Sequence, residues 1–169
     1  MLDFLFRGLT ADPSGTALFD ALTGEARQPH WYVEGRIPDT LDGRFALLAT
    51  ITALCAVRLE RGAEAGNRLS VALTERFIAV MESEHRELGL GDPTLGKTVR
   101  KLVGSLARRT ALWRSAVAGE RDWAEAARES LYKAGVSADA LRHSAEALKE
   151  RWARLDRSEL HELEQGKLR

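Results

Sequence analysis

Apolar residues recur along this chain at intervals of three and four, and the β-branched alternation of a half-buried strand is missing. Leu18, Phe19 and Leu22 share one face of a helix predicted over Ser14 to Arg27. Gln28-Pro29-His30-Trp31-Tyr32 interrupts it, and Gly35 to Pro38 reads as loop. Asp39 or Thr40 caps a second helix that runs to about Glu60, with Asp42 favourable in its first turn. Its middle, Phe45 to Val57, is 13 residues without a charge and apolar or neutral on every side, which predicts a central buried helix. A third helix spans about Asn67 to Leu88, with Leu69, Leu73, Phe77, Val80, Met81 and Leu88 inward and Gly89 and Gly91 as stops. A fourth runs from about Thr94 to Ala118, halted by Gly119. Two shorter helices follow, near Asp122 to Ala134 and Ala138 to Leu155, separated by Gly135 and with Ser137 as an N-cap. Ser158 to Arg169 is charged and reads as a solvated helical extension. The pattern therefore predicts an all-α, single-domain bundle of about six helices around a central apolar helix. It divides into an N-terminal segment 1–13, a helical domain 14–157 and a charged extension 158–169.

Composition narrows the function classes. A chain of 169 residues is long enough for a real hydrophobic core, and 44% hydrophobic with 30% charged is ordinary for a soluble protein. Lys and Arg number 25, equal to Asp and Glu, so global charge does not point to DNA or to an anionic membrane. Cys55 is the single cysteine and stands in the apolar run, so it reads as a small buried hydrophobe; an intramolecular disulfide and a multi-cysteine zinc site are excluded. The apolar start, Met1 to Arg7, lacks the basic n-region of a signal peptide, and the 13-residue run is too short to cross a bilayer. The expectation is a cytoplasmic protein, with peripheral contact at the inner membrane through Leu2, Phe4, Leu5 and Phe6 as an option.

Residues Gly91 to Thr98 spell Gly-Asp-Pro-Thr-Leu-Gly-Lys-Thr, which satisfies the phosphate-loop pattern G-x-x-x-x-G-K-[ST]. A working loop of that kind links a buried strand to a helix. Here the preceding Glu82-Ser-Glu-His-Arg-Glu-Leu88 is a charged helix end, and no apolar strand ending in Asp follows. The better reading is a turn between helices, with nucleotide binding as the alternative.

The helix after that turn is unusual in its charge. Between Thr94 and Gly119 stand six basic residues, Lys97, Arg100, Lys101, Arg108, Arg109 and Arg114, and no acidic one. Lys97 falls in the predicted first turn, where the helix dipole disfavours a cation. At 100° per residue, Val99, Leu102, Val103, Leu106, Thr110, Trp113 and Val117 fall on one face. Lys97, Lys101, Gly104 and Arg108 fall opposite, flanked by Arg100 and Arg109. A solvated surface explains such a stripe; so does an acidic protein, RNA, or lipid headgroups, the last making the chain a membrane-surface adaptor. Gly104 leaves room for a partner to approach.

No catalytic constellation appears. The histidines, His30, His85, His143 and His161, make no i, i+4 metal pair, and there is no H-E-x-x-H, G-x-S-x-G or Ser-x-x-Lys arrangement. The chain reads as a non-enzyme without a cofactor. Trp31 and Tyr32 read as anchors packed on the core.

Two segments carry a resemblance. Ile37-Pro-Asp-Thr-Leu-Asp-Gly-Arg-Phe45 resembles a Pro-Asp-Thr-x-Asp-Gly-Arg-Phe signature of the ubiquinol–cytochrome c chaperone family. Arg86-Glu-Leu-Gly-Leu-Gly-Asp92 followed by Gly96-Lys-Thr-Val-Arg-Lys-Leu102 is similar to that family's second signature, and the likeness spans about Leu18 to Val117. It departs where the family often has aromatic-Tyr-Gly-Arg, for here stands Leu106-Ala-Arg-Arg109. The resemblance, closest to bacterial members, implies a helical assembly factor for the cytochrome bc1 complex. Its implied partners are newly made cytochrome b or another nascent membrane protein, and the ribosome. Carried over residue by residue, the implied interaction residues are Asp39, Asp42, Gly43, Arg44, Arg86, Glu87, Asp92, Lys97, Arg100 and Lys101, to which the basic stripe adds Arg108. Arg44 and Arg86 could alternatively pair with Asp39, Asp42 or Asp92 and staple the two segments together.

Overall fold

In the computed structural model the protein is described over residues 13–87, Gly89 and 92–169, the side chains at 92, 93 and 95 excepted. The N-terminal residues from Met1 to Arg7, expected as a contact segment, lie outside the described residues, as do Gly91 and the Asp92 side chain.

Among the described residues the secondary structure is helical, with no strand. The helices are α1 (Pro13–Ala26), α2 (His30–Val33), α3 (Leu41–Leu59), α4 (Ala63–Glu87), α5 (Asp92–Val117), α6 (Trp123–Leu131), α7 (Ala138–Arg157) and α8 (Leu160–Glu164). A single 3-10 turn, Glu60–Gly62, joins α3 to α4. Helix α3 is the centre of the bundle: α1, α4, α5, α6 and α7 all pack on it, and its residues from Ala46 to Val57 are all buried. A helix with no polar face finds its minimum only when surrounded, since each exposed large aliphatic side chain forfeits about 1.5–3 kcal/mol.

Local chemistry sets the helix limits. Thr40 caps α3 by accepting from the Gly43 amide at 3.2 Å, and Asp42 sits in the first turn. Asp122 and Ser137 cap α6 and α7 in the same way. Helix α4 begins at Ala63, four residues before the Asn67 expected from the sequence. At Gly66 a Cβ would stand 2.1 Å from the Leu59 carbonyl oxygen; its absence lets α4 turn tightly against the end of α3. Helix α5 likewise starts earlier than expected, at Asp92, so Lys97 lies in its second turn and not in the first.

The charged segment after Ser158 is not a solvated tail. Leu163 on α8 is fully buried, and Arg154 donates to the carbonyls of Leu168 and Arg169 at 3.1 and 2.8 Å. Gly166, at φ 69°, brings this turn against α1: a Cβ there would meet the Ala17 carbonyl oxygen at 2.5 Å. Leu163, with Leu160 and Leu168 packed half-buried beside it, docks the charged stretch, which periodicity over so short a segment does not reveal.

Trp31 and Tyr32 are anchors, as their residue types suggested. Trp31 is fully buried and its indole N–H donates to the Glu25 carbonyl at 3.0 Å, while the Tyr32 hydroxyl donates to the Ala26 carbonyl at 2.8 Å. Cys55 is fully buried on α3, and burial pushes its thiol pKa up to about 12, so it is a packed hydrophobe.

Candidate functional site

The first signature is a folded loop-to-helix junction. Gly43 occupies the first turn of α3 where a Cβ would lie 1.9 Å from the Pro38 carbonyl oxygen, so only glycine lets the loop fold back on the helix. Arg44 then closes the loop by donating to Asp39 at 2.6 Å. Asp42 faces another way, receiving the Lys133 ammonium at 2.7 Å. Arg86 pairs within its own helix, to Glu82 at 2.9 Å. Among the described residues neither arginine joins the two signature segments, and the Asp92 side chain, the third expected partner, lies outside them.

Around this junction the bundle opens. The start of α3, the C-terminal half of α4 and one side of α5 border a groove of about 1020 Å³. Its floor is apolar, formed by Phe45, Ala46, Met81, Leu102 and Leu112. Leu41 stands at its lip with half of its surface exposed (50%). A second depression of about 780 Å³ continues from the same Leu41, Phe45 and Met81 toward Tyr32 and Val33, and Val33 is 60% exposed. Two large exposed aliphatics at the edge of a shared apolar floor leave hydrophobic surface uncovered here.

One wall is cationic. Lys97, Arg100, Lys101 and Arg108 line the first groove along α5, with Gly104 and Ser105 between them. The stripe therefore borders the groove floor instead of facing away from the core, as the helical wheel suggested. Two further wheel assignments shift with it. Val103, expected inside, is 40% exposed. Arg109, expected to flank the stripe, turns inward to donate to the Ser130 carbonyl at 2.9 Å and to the Ser105 hydroxyl, and its guanidinium stands 5.8 Å over the Phe45 ring. Burial, and after it the neighbouring Arg108, lower the Arg109 pKa below its ordinary value.

Below the groove a hydrogen-bond chain locks α3, α5 and α6 together. The Trp113 indole donates to the Ser130 hydroxyl at 3.1 Å, and Thr50 donates to the Ala46 carbonyl at 2.7 Å. The Ser130 hydroxyl, 2.6 Å from that of Thr50, is then left to donate to it. All three side chains are buried and satisfied, so this wall is rigid.

The sequence-derived residues thus divide. Asp42, Lys97, Arg100, Lys101 and Arg108 meet in the first groove, and Asp39, Arg44 and Glu87 line its continuation. Gly43 is structural, and Arg86 borders neither depression. Sequence reasoning missed the floor, Leu41, Phe45, Met81, Leu102 and Leu112, as a surface. The i, i+4 spacing of Leu41 and Phe45 beside the signature was the available signal. It also missed a pairing of His30 Nδ1 with His143 Nε2 at 3.0 Å, from residues far apart in the chain.

Residues 92 to 98 are helical throughout, so the phosphate-loop pattern falls on a helix and not on a loop that wraps an anion. No cluster of three metal-ligating side chains exists among the described residues. No helix among them is long and apolar enough to cross a membrane.

Comparison with known proteins agrees with the two signatures. No curated protein matches the chain. Among solved structures, the crystal structure of the Cbp3 homolog from Brucella abortus superposes with a TM-score of 0.78 at 23% identity, covering 99% of this chain and 95% of that one, which shows a shared fold. The model of the ubiquinol-cytochrome C chaperone family matches residues 34–169, from the first signature through the docked C-terminal turn. The chain belongs to the ubiquinol–cytochrome c chaperone family.

Proposed function

We propose that this protein is a non-enzymatic assembly factor for the cytochrome bc1 complex that holds newly made cytochrome b, or the ribosome producing it, through the groove at the start of α3. Family membership supports the chaperone role, and the groove is the observation that carries the mode of action. A membrane-protein client presents apolar segments that water exposes to aggregation. An apolar floor with exposed Leu41 and Val33 covers such a segment, and the charged walls keep the empty groove solvated. The client reaches the chaperone on the cytoplasmic side, with the chaperone peripheral to the inner membrane.

The test is enrichment of cytochrome b on the tagged protein under mild detergent, compared with a Leu41→Asp variant. Leu41 is half exposed and opens α3, where an acidic residue suits the helix dipole, so the variant folds. Cytochrome b is expected with the unaltered protein and depleted with the variant. Equal enrichment in both removes the groove from the function, and none in either removes the client.

A further inference from the structure

Resting on the reading of the groove as the client site, we infer that its occupant is an amphipathic segment with an acidic edge, bound with its carboxylates against α5 and its apolar stripe on Phe45, Met81 and Leu102. The argument is charge complementarity. Other arginines of α3, α4 and α5 are already partnered: Arg44 with Asp39, Arg86 with Glu82, Arg109 with Ser130, Arg114 with Glu60. Lys97, Arg100, Lys101 and Arg108 have no ion pair or hydrogen bond among the described residues, and they stand side by side on one wall. Eleven residues separate Lys97 from Arg108, about 16 Å at 1.5 Å per residue, so three turns of a docked helix span the row. Gly104 sits in the middle of the row, and the nearest atom to a Cβ there is the Arg108 guanidinium at 3.6 Å, so the backbone of α5 is open to the occupant.

The opposite wall decides which anionic partner fits. Glu84 lines both depressions from α4 and Glu87 lines the second, and neither has an ion pair among the described residues. Asp42 and Glu129 also border the groove but are held by Lys133 and Arg121. A uniformly anionic bilayer meets repulsion from Glu84 and Glu87 while it approaches the cations, and a flat surface does not reach the buried Leu102 at the floor. A segment with carboxylates on one edge only meets the cations while keeping its own charges away from Glu84 and Glu87.

The test uses the full chain and three labelled helical peptides that share one apolar stripe, with Glu, Gln or Lys along one edge. The Glu peptide is expected to bind about tenfold or more tighter than the Gln peptide near 50 mM salt, with the gap closing toward about 500 mM. Lys97→Glu/Lys101→Glu/Arg108→Glu is expected to reverse the order in favour of the Lys peptide. If the triple reversal misfolds by circular dichroism, the matching triple Gln variant is expected to abolish the preference. Equal binding of the Glu and Gln peptides, abolished by Leu41→Asp, overturns the acidic edge and leaves the apolar client groove standing. No binding of any peptide overturns both. Phosphatidylglycerol vesicles that bind through the same cations and are not displaced by the Glu peptide overturn the inference in favour of a lipid surface.

Discussion

Arg108 and Arg109 are consecutive on α5 and both border the groove, yet the fold uses them differently. Arg109 turns under the helix, bonds Ser130 and Ser105 and lies over Phe45; Arg108 faces the groove with no partner among the described residues. The same division runs the length of the helix. On the inner side Leu102, Leu106, Trp113 and Ala116 are buried against the bundle. On the groove side Lys97, Arg100 and Lys101 are left over. The contrast teaches that residue type does not tell a cation the fold consumes from one it leaves unpaired among the described residues; what tells them apart is whether the fold itself supplies the partner.

The comparison can be broken first at Trp113. Trp113→Ala removes a fully buried ring and the indole donor to the Ser130 hydroxyl, and the expected loss is about 3–5 kcal/mol in urea unfolding. A loss near that of a surface change would mean the α5 inner face is not the anchor. Next comes the arginine pair itself. Arg109→Ala is expected to cost about 1–3 kcal/mol by leaving its partly buried bonds unmade. Arg108→Ala is expected to stay within about 0.5 kcal/mol. Equal effects in thermal melts would erase the distinction between the two faces. An effect of opposite sign, smaller than that at Arg109, is expected at Gly104→Ala, which has room for its methyl group and relieves the helix of a glycine, a gain of roughly 0.5–1 kcal/mol.

The smallest expected effect is a pH slope from a site away from α5. His30 Nδ1 stands 3.0 Å from His143 Nε2, and burial first, then the His143 charge, lower the His30 pKa below its ordinary 6.5. The unfolded chain therefore takes up a proton before the folded one does. The stability from the His30 shift is complete above pH 6.5 and is lost as pH falls below it. Melts over that window should show the same slope in the protein and in its Lys97→Gln/Lys101→Gln/Arg108→Gln variant, and a flatter one in His30→Phe. A slope that changes with the groove cations would tie the two regions together.

Much of the fold was legible because burial on a helix writes itself as a 3.6-residue period. The uncharged run on α3, the inner face of α4 and the caps at Thr40 and Ser137 were all visible in that way. The early start of α4 and the docking of Leu163 were not, because each depends on a close approach between distant segments. The candidate site was legible only in its pieces. Its cations and signature residues could be named, but their common groove is assembled from α3, α4, α5 and α6. The scaffold duties of Gly43 and Asp39–Arg44 could not be told from recognition until the Pro38 carbonyl was placed.

By itself the sequence determined an all-helical chain organised around one helix with no polar face, a family signature at the start of that helix, and a basic helix without acids. Local periodicity, capping chemistry and composition are properties of neighbouring residues, so one dimension is enough to carry them. Only the tertiary structure decided that Arg109 is consumed by the fold while Lys97, Lys101 and Arg108 are not, and that Leu41 and Phe45 open onto a groove. Those outcomes depend on which carboxylates, carbonyls and apolar side chains other helices bring within a few ångströms, and that distance is not a function of spacing along the chain.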